Sequence, residues 1–177
     1  MLYKNNGWEE FASIPGNLAE HCQVTVGEDV FLIGGLNGKS ATSAVYKLSN
    51  GIVTQYHSIK TPRYRHMCAV LGGHVLVISG RGEGGRHLNS VEVLTPGSDD
   101  WVEGPALPEN VEQGQSVVFN NSLYVLGGNS SDVSHNHKIY RLDSVGGQWV
   151  TEDVSFGFPA RFVFPAPLLY DHQLYCN

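Results

Sequence analysis

Four arginines, Arg63, Arg65, Arg81 and Arg86, and the neighbouring His87 are the side chains of this sequence best suited to recognition. A guanidinium is planar, always charged, and able to pair with a carboxylate through two parallel hydrogen bonds or to stack on a ring. These five residues are the predicted contacts for a partner protein. Catalysis has less behind it: no G-x-S-x-G occurs, and Ser, His and Asp are dispersed without a framework that brings a nucleophile to a base. The chain is therefore read as non-catalytic. Gly80-Arg81-Gly82-Glu83-Gly84-Gly85 fits the G-x-G-x-x-G pattern, but a phosphate-binding turn needs a following helix, and His87 to Leu94 reads as a strand. His135-Asn136-His137 puts two imidazoles on one side of an extended segment. A pair alone does not complete a tetrahedral site, so neither a metal nor another cofactor is predicted. Asp99, Asp100, Glu109 and Glu112 read as a solvated acidic rim.

Charge narrows the partner class. Lys and Arg number 11 against 17 Asp and Glu, the net charge is −6, and the basic residues form no stripe. A phosphate backbone is repelled by such a surface, which argues against nucleic acid. No stretch approaches the ~20 apolar residues of a membrane helix, and Met1 to Gly7 lacks the apolar core of a signal peptide. Cys22, Cys68 and Cys176 form no C-x-x-C and, being odd in number, cannot all pair internally. The expectation is a cytoplasmic protein in a reducing compartment. The sequons Asn120-Asn121-Ser122 and Asn129-Ser130-Ser131 supply a secreted alternative.

The elements that must position these residues are set by a repeat. Val30-Phe31-Leu32-Ile33-Gly34-Gly35 recurs as Val75-Leu76-Val77-Ile78-Ser79-Gly80 and as Leu123-Tyr124-Val125-Leu126-Gly127-Gly128, at spacings of 45 and 48 residues. Val45-Tyr46-Lys47-Leu48, Val91-Glu92-Val93-Leu94 and Ile139-Tyr140-Arg141-Leu142 follow in the same order, and then come Gln55, Trp101 and Trp149. Trp8 stands 47 residues before Gln55, and Trp8–Pro15, Gln55–Pro62 and Trp101–Pro108 are each seven residues apart. Short runs of Val, Ile, Leu and Tyr separated by Gly-Gly or Asn-Asn turns predict four strands per unit. A four-stranded unit with a period of 40 to 50 residues fits a propeller blade, which covers its apolar faces only against neighbouring blades.

The apolar run with its Gly doublet (Gly34-Gly35, Gly127-Gly128, and Gly80 after Ser79), the Tyr at Tyr46 and Tyr140, and the Trp at Trp8, Trp101 and Trp149 resemble the Kelch repeat. Thr61-Pro62-Arg63-Tyr64-Arg65-His66 looks like the Pro-x-x-x-His segment that opens a Kelch blade. Ser79, Glu92 and Gln55 depart from the motif; Ser79 is expected to avoid positive φ, and Tyr56 to substitute in part for the missing Trp.

The expected fold is all-β, a single Kelch-like β-propeller over 1–177, with blades at about 18–57, 64–104 and 113–153 and a split blade joining 1–12 to 163–177. Those ends predict either a four-bladed ring or a fragment of the six- or seven-bladed propellers that the resemblance implies, with self-association if the ring is incomplete. The resemblance also implies a non-catalytic protein-interaction scaffold, such as the recognition arm of a cullin-type ubiquitin ligase adaptor or a cytoskeletal binding module. An extracellular carbohydrate-binding or galactose-oxidase-like propeller is the alternative. Recognition is expected on the loops at 36–42, 81–89 and 129–136, which differ between repeats while the strands do not.

Overall fold

The computed structural model describes residues 2–4, 7–9, 12–95, 97–131, 138–153, 168–170 and 173–175. In chain order the strands are β1 (Leu2–Lys4), β2 (Gly7–Glu9), β3 (Leu18–Ala19), β4 (Cys22–Val26), β5 (Asp29–Ile33), β6 (Leu36–Asn37), β7 (Ser40–Ala41), β8 (Val45–Ser49) and β9 (Ile52–Tyr56). They continue with β10 (Met67–Leu71), β11 (His74–Ile78), β12 (Val91–Leu94), β13 (Trp101–Gly104), β14 (Gln115–Phe119), β15 (Ser122–Leu126), β16 (Ile139–Leu142), β17 (Val150–Glu152), β18 (Leu168–Tyr170) and β19 (Gln173–Tyr175).

Three four-stranded antiparallel sheets result, β4-β5-β8-β9, β10-β11-β12-β13 and β14-β15-β16-β17, here blades 1, 2 and 3. Their registers coincide: Cys22, Met67 and Gln115 each open a first strand opposite Ile33, Ile78 and Leu126. The first strands lie side by side, β10 against both β4 and β14, so the blades radiate from a shared inner row. Positive φ at Gly72 and Gly73, and at Asn120 and Asn121, produces the tight turns between first and second strands. A smaller sheet joins β3, β6 and β7. Strands β1–β2 and β18–β19 form two separate hairpins; the union of 1–12 with 163–177 lies largely outside the described residues.

The apolar core sits between blades, which explains why the strands of blade 2 read as nearly continuous apolar runs. Along β11, Val75 and Val77 pack with Val24, Phe31, Ile33 and Val45 of blade 1. The alternate residues Leu76 and Ile78 pack with Leu123, Val125, Tyr140 and Leu142 of blade 3. The period of two therefore sends each side chain into one of two seams, and each buried Leu, Ile or Val adds ~1.5–3 kcal/mol relative to exposure.

Trp101 and Trp149 tie the seams with a hydrogen bond as well as area. Trp101 Nε1 donates to His57 O at 2.8 Å and Trp149 Nε1 to Pro105 O at 2.8 Å, in each case reaching the connector that leaves the preceding blade. Blade 1 has Gln55, which is exposed, at this position, and Tyr56 stacks edge-on against Phe31 with ring centroids 5.3 Å apart. Trp8 falls in β2, and its side chain lies outside the described residues.

Ser79 departs from expectation. Its φ is +59°, the left-handed conformation of its counterparts Gly34 and Gly127. Two buried hydrogen bonds offset that strain: the hydroxyl donates to Leu88 O and accepts from Val111 N–H, both at 2.7 Å. Blade 3 presents Gly114 where blade 2 presents His66, so no side chain faces Ser79 as the His66 ring faces Gly34.

Candidate functional site

Glu20, Arg65 and Gln113 occupy one register position in three successive blades, two residues before the first strand, and have φ of 53°, 54° and 55°. The backbone links them in series: Arg65 N–H donates to Glu20 O at 3.1 Å, and Gln113 N–H donates to Arg65 O at 2.9 Å. The left-handed turn is stabilised by these inter-blade bonds, and it places the side chains of adjacent blades together at the mouth of the inner row.

A chain of alternating charge follows. Arg65 Nε and Nη2 donate to the two carboxylate oxygens of Glu20 at 2.9 and 3.2 Å, and Arg65 Nη1 lies 3.6 Å from Glu112 Oε2. Arg81 Nε and Nη2 hold both oxygens of Glu112 at 2.6 and 2.7 Å. The order Glu20, Arg65, Glu112, Arg81 thus crosses three blades. The Glu20 hydrogen bond raises the Arg65 pKa, and the Glu112 hydrogen bond raises that of Arg81, so both guanidiniums stay charged. Arg65 also lies over the Tyr64 ring, 5.8 Å from its centroid.

Backbone pairing seats Arg81 firmly: Tyr64 N–H donates to Arg81 O and Arg81 N–H to Tyr64 O, both at 2.8 Å. Beyond it, 83–85 form one 3-10 turn with Arg86 N–H bonded back to Glu83 O. No helix follows the G-x-G-x-x-G stretch, so the dipole and aligned N–H groups of a phosphate site are missing there. Arg86 is exposed, and His87 is half-buried with its backbone bridged to Arg81. Arg65 and Arg81 keep 34% and 29% of their side chains in solvent. The structure therefore brings Arg65, Arg81, Arg86 and His87 to one region.

Arg63 does not join them. It is fully buried, its Nη1 donating to Ser79 O and Ser90 O at 3.0 and 2.9 Å and its Nη2 to Ser90 Oγ and Glu92 Oε1 at 3.1 and 2.9 Å. Burial lowers its pKa, opposed by the Glu92 charge. Every donor of that fork is taken up or enclosed, and no partner can reach it. Glu92, in place of the motif Tyr, also accepts from Lys60 N–H at 2.6 Å and Thr61 N–H at 3.0 Å, so it clamps the connector to blade 2 where Tyr140 OH in blade 3 donates to Glu109 at 3.2 Å.

The acidic rim is likewise redistributed. Asp99 and Asp100 are exposed as expected, whereas Glu112 is buried beneath Arg81. Glu20 and Glu112 were missed as site residues because the signal was positional: charged residues at or beside one register position in adjacent repeats. His135 and His137 lie outside the described residues. Among the described residues no group of three or more His, Cys, Asp or Glu is placed to hold a metal. A cleft of about 450 Å³ where β9 ends and β13 begins is lined by His57, Lys60, Asp99, Asp100 and Trp101, a mixture of signs without a buried charged group. No helix among the described residues is long and apolar enough to cross a membrane.

Residues 62–108 match the Kelch motif family. The chain is 28% identical over 144 residues to Kelch-like protein 35 of Mus musculus, covering 80% of this chain and 25% of that one. It is 27% identical over 173 residues to Kelch repeat and BTB domain-containing protein 12 of Homo sapiens, covering 82% and 28%. With the F-box/kelch-repeat protein At1g67480 of Arabidopsis thaliana the figures are 32% over 107 residues, 59% and 28%. The chain thus spans about a quarter of the length of these relatives. Among solved structures, that of YjhT superposes with a TM-score of 0.70 at 18% identity, over 82% of this chain and 53% of that one, a likeness of fold.

Proposed function

We propose that this chain, which belongs to the Kelch repeat family, is a non-catalytic interaction module that holds a partner protein on the rim formed by Arg65, Arg81 and the 83–87 turn. The observation that carries the reading is the Glu20–Arg65–Glu112–Arg81 series. Each guanidinium is fixed by a carboxylate of a neighbouring blade or connector while part of it still faces solvent. Side chains held in this way lose little rotamer entropy when a partner docks, and the exposed Arg86 stands beside them without such a restraint.

The names of two relatives place Kelch repeats beside a BTB domain and an F-box. That supports reading this module as a substrate-recognition arm of a ubiquitin ligase adaptor working in the cytoplasm. The test uses the full chain as bait in a cell extract, wild type against Arg65→Gln/Arg86→Glu. Both substitutions are on the rim and away from the apolar seams, so the melting temperature stays within about 2–4 °C of wild type, a shift of about 1 kcal/mol. Proteins retained by the wild type and lost from the variant support the rim; an identical set on both baits excludes it. A secreted, carbohydrate-binding reading is favoured by the exposed sequon asparagine Asn120 at a turn and by the Cys22–Cys68 disulfide, which runs against the reducing compartment expected from the cysteine count. A glycan on Asn120 detected by mass after expression in a secretory cell supports that reading.

A further inference from the structure

Cys22 and Cys68 are joined as a disulfide with their Cα atoms 5.9 Å apart. The bond does not lie within a blade. It links β4 to β10, the first strands of blades 1 and 2, which share no strand-to-strand hydrogen-bond ladder. We propose that this bond is a reversible thiol-exchange site, a strap whose reduction loosens the seam between blades 1 and 2 while leaving the seam between blades 2 and 3 intact. The inference is independent of the partner reading above.

Cys22 is two residues from Glu20 and Cys68 three from Arg65, so the strap lies directly beneath the ion pair and the Arg65 N–H to Glu20 O bond that cross the same seam. Both cysteines are half-buried, at the margin of the cluster containing Val24, Ile33 and Val77 and not within it. A disulfide enclosed in a core is closed to a thiolate, whereas one at a margin is open to attack. Between blades 2 and 3, Ser116 occupies the register position of Cys68, and its hydroxyl donates to Cys68 O at 3.0 Å. A hydrogen bond insensitive to thiols thus stands between β10 and β14 where a covalent bond stands between β4 and β10.

The exchange balances with a low-molecular-weight thiol as reductant. One thiolate attacks a sulfur of the Cys22–Cys68 bond, giving a mixed disulfide and one free cysteine thiolate. A second thiolate attacks the outer sulfur of the mixed disulfide, releasing the other cysteine and the oxidised disulfide of the reductant. Two electrons pass to the protein, and two protons are taken up where the thiols are protonated.

The full chain with Cys176→Ser, which removes the remaining thiol, is equilibrated in glutathione buffers from fully reduced to fully oxidised, then trapped by alkylation and weighed. Two labels are expected at the reduced end, none at the oxidised end, with a reversible transition between. Reduction is expected to lower the melting temperature by roughly 5–10 °C, the loss typical of a cross-link closing a loop of this length in a chain of this size. Hydrogen exchange then separates the seams. Amides of Gly35 and Arg65, bonded across the strapped seam, exchange at least tenfold faster after reduction, while those of Gly80 and Gln113, their counterparts across the other seam, do not change. A bond that never forms in oxidised glutathione, one that persists in 10 mM reduced glutathione, or equal acceleration at both seams overturns the proposal. The Cys22→Ser/Cys68→Ser variant reproduces the reduced form in any buffer; if it fails to fold, reduction of the parent gives the same readouts.

Discussion

Arg63 shows how far a residue's type is from its role. Sequence alone presents it as one of four similar arginines, and two of the others, Arg65 and Arg81, do carry guanidiniums to the rim. What separates them is depth, and depth is illegible here because Arg63 lies in the connector ahead of β10, where no strand alternation distinguishes a residue turned into a seam from one facing water. The partner of Arg63 was visible only as an anomaly, Glu92 in a position where sister repeats carry Tyr. An unpaired carboxylate in that strand is costly unless a cation meets it, so the two departures explain each other. Replacing Arg63 by Met leaves Glu92 with only two backbone donors and is expected to cost about 3–5 kcal/mol in urea unfolding. Glu92→Met in the same chain removes the stranded charge and recovers at least half of that loss. A double variant as weak as Arg63→Met shows the pair to be uncoupled.

At the scale of elements the fold is most legible in the sequence, because the devices that define a blade are local. Tight turns at Gly72-Gly73 and Asn120-Asn121, β-rich runs of five residues and the recurring Gly doublet are all written within a few residues of each other, and the strands appear where the repeat placed them. Seams were legible only in outline, since their hydrogen bonds join residues from separate repeats. The two Trp bonds are the clearest case: each indole reaches a carbonyl 44 residues earlier, and neither the acceptor nor its distance can be inferred from the motif. Trp101→Phe and Trp149→Phe each strand one of these carbonyls and are expected to cost about 1–2 kcal/mol. The two act in different seams without a shared partner, so the double variant should equal the sum of the singles within about 0.5 kcal/mol. A larger deviation means that the seams communicate through blade 2.

For the molecule as a whole, cohesion depends on seams being dry, and acid exposes how dry they are. His66 stands between blades 1 and 2 with Nε2 3.0 Å from Ile33 O, and no hydrogen-bond partner for Nδ1 among the described residues. Burial, reinforced by the nearby Arg63 charge, lowers its pKa from 6.5 to about 3. The unfolded chain therefore takes up a proton below pH 6.5 that the folded chain refuses, so the contribution of neutral His66 is complete above pH 6.5 and is lost progressively as pH falls toward 3. His21, the equivalent residue of blade 1, is lowered in the same direction by burial and adds to the slope. Asp29, held down chiefly by its hydrogen bond from Lys47, and Asp143, chiefly by Ser122, act only at lower pH because their pKa values already lie below the ordinary 3.8. Between pH 7 and pH 5 these two carboxylates are therefore silent, and His66 should remove about 2 kcal/mol of stability, at ~1.4 kcal/mol per pH unit below 6.5. His66→Gln retains an N–H for Ile33 O and binds no proton, so its urea midpoint should fall much less over the same interval. Equal acid sensitivity in the two proteins would mean that His66 is solvated, and that the seam between blades 1 and 2 admits water.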